Sequence, residues 1–360
     1  MVNMKELFAF DRISDQECEL APLTERELAS SLLATGDLLF ARQSLSYEGA
    51  GKCVLVLPAT GPRTWESHLI RVRLDSDLAS AAYFYYFFRS PRGRRLIETI
   101  IQQVAAAGIR GSDLGRLEVP CPALSDQQAI AEVLGALDDK IAAGKKESRL
   151  IDEFITARFR AAFAGRDIQT IPLFEAMTID FGEAFKGASF STPGEGRALI
   201  RIRDLKSFSP QIWTTESRLR EVTVMSGDIL VGMDAEFRAT TWLAQPGLLN
   251  QRVCRVRGIG LGNAFVREAL RAPLAAMENQ KSATTVIHLN KSDLERMEIA
   301  VPDAASLESF EDDVEHLYLL RVRLELENRT LAATRDALLP QLMSGKLRVR
   351  DAEKSLAGVL

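Results

Sequence analysis

The stretch EGAGKC at residues 48–53 sets two glycines beside a lysine, the ingredients of a loop that wraps a phosphate. Such a loop needs G-x-x-x-x-G-K followed by Ser or Thr, because the hydroxyl holds magnesium. The spacing differs here and Cys53 stands in the hydroxyl's place, so the stretch reads as a glycine turn between two strands. Asp138, Asp139 and Lys140 have the look of a nuclease acid–lysine set. They lie in a helical pattern with no second acid on a strand, and a solvated helix face explains them better. His68, His288 and His316 are far apart, without metal-ligand spacing. The sequence carries no Asn-Pro-Pro-Tyr or glycine-rich motif of a methyltransferase. Chemistry on a cofactor is therefore expected from a partner, and no residue is assigned a catalytic role.

Binding chemistry is better represented. Arginine can meet guanine through two hydrogen bonds, glutamine or asparagine can meet adenine, and hydroxyls and cations reach phosphates. The candidates near the N-terminus are Arg42, Gln43, Ser44, Tyr47 and Lys52, then Gln102, Gln103 and Arg110. Further along they are Arg201, Arg203 and Lys206; Arg238, Thr240 and Thr241; Asn250, Gln251 and Arg252; and Asn279, Gln280, Lys281 and Thr284. Singly, each has a plainer reading as a solvated surface residue; the sets carry the expectation. Arg89, Arg92, Arg94 and Arg95, in FRSPRGRR, form the densest basic cluster and suit phosphate contact. The aromatic run YFYYFF just before it reads as the packed face of a helix. A net charge of −4 argues mildly against nucleic acid, but the acidic excess falls on residues 306–345. The rest is left free to carry basic faces.

These residues sit on a framework that occurs twice. GSDLGRLEVPCP (111–122) matches KSDLERMEIAVP (291–302), FRSP (88–91) matches LRAP (270–273), RVR (71–73) matches RVR (255–257), and GDLLFAR (36–42) matches GDILVGM (227–233). Two copies are too few for a solenoid and read as a duplication. Short apolar runs such as KCVLVL, LIRVRL, ALIRIRDL and RVCRVR predict strands. A helix follows in each half, over ASAAYFYYFFRSPRGRRLIETIIQQVAAAG and over NAFVREALRAPLAAMENQ, then an extended LEVPCP or MEIAVP, and finally a long helix.

The second long helix keeps a 3–4 step from Leu307 through Leu342, with Arg321, Asn328 and Arg335 as polar interruptions. Ile130, Leu134, Leu137, Ile141, Ile151 and Ile155 form the matching column of the first. Ser125 and Ser306 suit N-caps, and Gly165 and Gly345 suit left-handed C-caps. Pro340 falls in the last turns, where it can kink the helix before it ends. Each helix should span about 55–60 Å, too long for one compact domain to cover, so the two should pair antiparallel. Phe154, Phe159, Phe163, Tyr318 and Leu319 lie beside the seam and should offer an apolar face to another chain.

The motifs PALSDQQAIAEVLGALDDKI (122–141) and TRDALLPQLMSGKL (334–347), with this order of domains, resemble the specificity subunits of Type I restriction–modification systems. The resemblance covers nearly the whole chain. It implies an α+β protein with two strand-rich target-recognition domains in pseudo-two-fold repeat, held apart by two long antiparallel coiled-coil helices. It implies a non-catalytic subunit that reads a divided double-stranded DNA target. Two methyltransferase subunits would dock on it, and restriction subunits would join through the complex. It implies no cofactor of its own, with S-adenosylmethionine, ATP and Mg²⁺ confined to the partners.

The expected organisation is a first recognition domain over 1–124, a spacer helix over 125–165, a second domain over 166–305, a second helix over 306–346 and a tail over 347–360. In the second half, residues 168–199 precede the strand IRIRDL (200–205). In the first, VNMKEL (2–7) resembles that strand with only Met1 before it. The first domain is expected to lack its opening segment and to be the less stable reader. A scaffold that no longer reads DNA is the alternative, ahead of a self-contained nuclease or methyltransferase. Scattered cysteines (Cys18, Cys53, Cys121, Cys254) without a CxxC pair, no apolar run long enough for a membrane and no signal-like N-terminus fit a cytoplasmic protein.

Overall fold

Duplicated strand runs and two long amphipathic patterns become an α+β fold in a computed structural model that describes residues 1–103, 106–165, 168–281 and 287–356. The first half runs α1 (Met4–Ala9), β1 (Arg12–Ile13), α2 (Glu25–Ser30), β2 (Leu38–Ala41), β3 (Gln43–Ser44), β4 (Cys53–Val56), β5 (Leu69–Val72), α3 (Ala81–Arg89), α4 (Pro91–Glu98), β6 (Gln102–Gln103), β7 (Ala107–Gly108), α5 (Gly111–Leu114) and α6 (Leu124–Phe163). The second runs β8 (Ile168–Pro172), α7 (Leu173–Ala176), β9 (Met177–Phe181), β10 (Phe190–Ser191), β11 (Arg197–Ile200), α8 (Asp204–Ser207), β12 (Trp213–Thr214), β13 (Thr223–Val224) and β14 (Ile229–Gly232). It continues through β15 (Ala239–Thr241), β16 (Gly247–Leu249), β17 (Val253–Gly258), α9 (Asn263–Lys281), α10 (Lys291–Glu295), β18 (Glu298–Pro302), α11 (Ala304–Met343) and α12 (Val349–Leu356). The chain divides into two compact units, Met1–Lys140 with Leu331–Leu360, and Ile141–Thr330, so that both long helices contribute to each.

In the first unit a four-stranded sheet has the order β1-β4-β2-β5. Its inward side chains, among them Leu39, Ala41, Val54, Val56 and Leu69, close a core with Val2, Leu7 and Ile13. The aromatic run is packed as expected, with Tyr83 through Phe87 all buried. The single helix expected there is not continuous. Ser90 turns extended at φ −71°, ψ 157°, ends α3, and caps α4 by accepting from the Gly93 N–H. Pro91, which has no N–H to continue α3, sits at the first helical position that suits it. After Glu98 the chain leaves the helix and forms β6. At the aligned place in α9, Ala272 offers no cap and Pro273 stays inside the helix.

In the second unit one sheet has the order β15-β14-β17-β9 and another β10-β12-β11-β16-β13, with β8 and β18 paired separately. A large core joins Leu173, Met177, Val231, Val256, Phe265 and Leu270 to Phe310, Val314 and Tyr318 of α11. The expected strand IRIRDL is a turn into α8, in which Asp204 accepts from the Arg201 N–H at 2.9 Å. VNMKEL repeats this turn, with Glu6 accepting from the Asn3 N–H at 2.8 Å before α1.

The long helices run antiparallel. In the second unit Ser148 donates to Glu325 at 2.6 Å, Asp152 meets Arg321 at 3.4 Å and Arg158 pairs with Asp313. In the first unit Asp138 meets Arg335 at 2.5 Å. Each polar interruption of the α11 seam therefore has a matched place on α6: Arg321 at Asp152, Arg335 at Asp138, and buried Asn328 over Gly144. An added Cβ at Gly144 would lie 2.5 Å from the Asn328 Oδ1. All six members of the α6 column are buried. Gly165 and Gly345 take φ of +66° and +70°, as left-handed caps require. Neither serine caps its helix. α6 begins at Leu124, before Ser125, and Asp303 caps α11 by accepting from the Ser306 N–H at 2.9 Å. Pro340 lies inside α11, which ends at Met343.

Tyr318 is corrected from an outward position to a buried one, and its hydroxyl donates to the Gly227 carbonyl at 2.5 Å. Over this stretch the buried stripe steps by four, through Phe310, Val314, Tyr318 and Val322. A straight α-helix drifts from a strict seven-residue repeat, and here it drifts onto its own unit's sheet. Phe159 and Phe163 are corrected too. They are half-buried against the second unit's core, with the Phe159 ring 5.4 Å from Phe265 and 5.8 Å from Phe310. Phe154 and Leu319 remain exposed. Asp138 is no solvated residue: it is buried and accepts from the Tyr86 hydroxyl at 2.7 Å as well as from Arg335. Among the described residues no helix is long and apolar enough to cross a membrane.

Candidate nucleic-acid interface

The glycine turn ahead of β4 places its residues beside a small sheet of order β3-β7-β6. Gln43 and Gln102 both lie opposite Gly108 on the central strand. Gly108 has to be glycine, because a Cβ there would come within 2.9 Å of the Arg42 carbonyl oxygen. The Ile109 N–H donates to that same oxygen at 2.9 Å, which locks the two strands' ends together. A cleft of about 310 Å³ results, lined by Arg42, Gln43, Gln102, Ala106, Gly108, Ile109 and Arg110. Arg42 and Arg110 are exposed, and among the described residues neither has an ion-pair partner. Two guanidiniums and two amides on one cleft can offer paired donors and acceptors to base edges.

The other early candidates are placed around this cleft with fixed duties. Arg94 donates to the carbonyls of Tyr47, Glu48 and Ala50 and pairs with Glu98 at 3.0 Å, so it holds the glycine turn. Lys52 donates to the Phe8 carbonyl and pairs with Asp11 at 3.6 Å. Arg89 pairs with Asp11 at 2.7 Å and stacks over Tyr85. Burial would raise the Asp11 carboxyl, but the hydrogen bond and charge of Arg89 hold it below its ordinary value. Arg94 and Lys52 are thereby corrected from free phosphate or base contacts to braces. Arg92, Arg95, Gln103 and Tyr47 are exposed, and Ser44 is half-buried.

In the second unit, edge strand β15 and helix α9 enclose a cleft of about 410 Å³. Arg238, Thr240, Arg271, Glu278 and Asn279 line it, over an apolar floor of Phe237, Ala239 and Ala275. Glu278 accepts from the Phe237 N–H at 2.9 Å and fixes the strand's start to the helix. The Arg238 side chain is 74% exposed with Glu236 3.7 Å away, so it is free to turn toward a ligand. Arg271 was not among the sequence candidates; its match to Arg89 in the LRAP/FRSP pair is the signal that pointed to it.

Several second-half candidates are elsewhere. Thr241 is buried, 3.4 Å from the Tyr318 hydroxyl, and is corrected from a base contact to a core residue. Lys281 pairs with Asp293 at 2.6 Å. That carboxylate also accepts from the Asn290 N–H at the start of α10. Burial raises the Asp293 carboxyl, but Lys281, the Asn290 N–H and Arg296 together outweigh it, so its pKa is lowered. Arg201 is tied to Asp204 at 3.2 Å, Lys206 to Glu236 at 2.9 Å and Arg252 to Asp234 at 3.6 Å. Asp234 also meets His288 at 2.5 Å. Arg203, Gln251 and Gln280 are exposed, and Asn250 is half-buried in a bridge with Glu183. Thr284 lies outside the described residues. Among the described residues no three His, Cys, Asp or Glu side chains gather as a metal site would need. The distance to the nearest acceptor separates the freer cations from the braces, and residue type alone could not.

Comparison with known proteins meets this geometry. Residues 32–151 match the family described as the Type I restriction modification DNA specificity domain. The chain is 30% identical over 189 residues to the EcoBI specificity subunit of Escherichia coli, covering 51% of this chain and 40% of that relative. It is 22% identical over 324 residues to the MjaIX specificity subunit of Methanocaldococcus jannaschii, covering 77% of this chain and 72% of the relative. The crystal structure of a Type I restriction–modification S subunit from M. genitalium shares the fold with a TM-score of 0.56. It does so at 13% identity, over 92% of this chain and 88% of that one.

Proposed function

We propose that this chain, which belongs to the specificity subunits of Type I restriction–modification systems, reads a double-stranded DNA target in two parts. The first part is read by a domain over 1–124 and the second by a domain over 166–305. The observation that carries this reading is that each half builds a cleft from the same ingredients. Guanidiniums stand beside side-chain amides with the backbone fixed behind them: Arg42 and Arg110 lack an ion-pair partner among the described residues, while Arg238 and Arg271 have Glu236 and Glu268 at 3.7 and 3.2 Å. Arg42, Gln43, Gln102 and Arg110 read one half-site, and Arg238, Thr240, Arg271 and Asn279 read the other. Arg92 and Arg95 suit phosphates. The duty of the helices over 125–165 and 306–346 is spacing and docking; the tail over 347–360 has no assigned role. Exposed Phe154 and Leu319, at 43% and 58%, give two methyltransferase subunits an apolar foothold. Restriction subunits then join through that complex. S-adenosylmethionine, ATP and Mg²⁺ belong to the partners, and this chain performs no reaction itself.

The test is the methylation pattern of the host genome with the gene intact and deleted, alongside gel shift of the chain with its methyltransferase subunit. Loss of one bipartite methylated motif on deletion is the expected result. An unchanged pattern and no shift would leave only the reading as a protein–protein scaffold.

A further inference from the structure

The two halves treat one part of their shared framework differently. In the second, β18 pairs along its whole length with β8, and β17 pairs with β9 from Cys254↔Phe181 to Gly258↔Met177. In the first, residues 118–122, which match β18 in sequence, form no strand, and β5, which matches β17, is an edge strand. The match is close: Leu39 lies opposite Arg71 as Leu230 lies opposite Arg255.

An apolar cleft of about 400 Å³ lies against β5 and this unpaired run, lined by Val72, Phe84, Phe88, Leu117 and Val119 among others. The aligned residues in the second half are Val256, Val266, Leu270, Met297 and Ile299, and all five are core. What packs with them there is Leu173, Ala176 and Met177, from the strand–turn–strand segment 168–181. The Leu173 N–H donates to the Met297 carbonyl at 2.9 Å, which seats that segment. The first half thus has the receptor side of a contact whose other side is visible in the second.

We propose that this cleft receives a separate extended polypeptide of the same chemistry as residues 168–181. Its strand would add antiparallel to β5, as edge strands accept peptides. Its apolar side chains, spaced as Leu173, Ala176 and Met177, would fill the cleft. An acid at the place of Asp180 would meet Arg71, as Asp180 meets Arg255 at 2.8 Å. This inference does not depend on DNA reading.

The probe is a fluorescent peptide with the sequence of residues 168–181, added to the full chain. The expected result is saturable binding, with hydrogen exchange slowed at Leu69–Val72 and at residues 117–121. Met177→Asp in the peptide, or Leu117→Asp in the chain, should each weaken binding about tenfold or more. The peptide variant keeps the test sound should the chain variant misfold. No saturable binding overturns the proposal, as does protection confined to β17 and β18. Self-association of the chain that Leu117→Asp abolishes also overturns it, since the occupant would then be a second copy.

Discussion

The pairs β2–β5 and β14–β17 are one design in two settings. Each follows a Gly-Asp turn, with Gly36 at φ +89° and Gly227 at φ +95°. In the second setting the Asp228 carboxylate accepts from Arg255 at 3.2 Å, and Arg255 also bridges to Asp180 of β9. In the first, β5 is an edge strand, and among the described residues no strand brings it a second acid. Arg71 turns onto the Trp65 ring at 4.6 Å, and Arg73 takes over the turn's aspartate with two bonds of 2.7 Å. The turn needs a guanidinium in both halves; the neighbouring strand decides which arginine supplies it.

Asp37→Asn should test this comparison hardest. Asp37 is fully buried and also accepts from the Ala34 N–H, while Arg73 is half exposed, so removing the Asp37 charge should cost about 2 kcal/mol. Asp228→Asn should cost about 1 kcal/mol, since Arg255 keeps Asp180. Hydrogen-exchange protection of β2 and β5 against β14 and β17 measures both, and equal losses would break the comparison. For function, Arg42→Ala and Arg238→Ala should each lose about 1–3 kcal/mol of base discrimination, at opposite half-sites. Sequencing of methylated sites reads this out, and equal loss at both halves would point to a general defect. Ser90→Ala should destabilise the start of α4 by about 1 kcal/mol, seen as faster exchange at Gly93 and Arg94. Ala272→Ser, the reciprocal change, should stay within about 0.5 kcal/mol.

The smallest effect concerns acid. Burial alone would raise the Asp152 carboxyl, but Arg267 and Arg321 together hold it below its ordinary 3.8. A depressed folded-state pKa gives stability that is present above the unfolded value and lost as pH falls through the folded one. The second unit should therefore loosen below about pH 3.8, and Asp152→Asn should flatten that part of its acid-unfolding curve.

The framework was legible where one element repeats a pattern many times. The α6 column, the glycine caps and the matched strands all rest on several residues agreeing. Single-residue placements were not. Ser90 and Ala272 differ by one hydroxyl, and Gly93 and Ala275 by one methyl, yet these small changes accompany a broken helix in one half and a continuous one in the other. Tyr318 sits one step from a heptad position, and only the sheet beneath α11 decides which neighbour turns inward. Arg42 and Arg94 are the same residue type in the same basic surroundings. One keeps a single long bond of 3.4 Å to the Ser67 carbonyl, and the other is fixed by three carbonyls of the glycine turn. Such pairing depends on tertiary neighbours that no local spacing encodes.

Asn328 over Gly144 acts as a key in a slot. A helix pair with an unbroken leucine seam can slide by seven residues at little cost. Sliding here would press an amide against Leu137 or Ile151, where Gly144 no longer leaves room for it, and would part Arg335 from Asp138 and Arg321 from Asp152. A buried polar residue of this kind fixes register by penalising the alternatives. Lengthening one helix alone by a few residues should therefore be resisted far more strongly than lengthening both in step, because only the second change leaves the key opposite its slot.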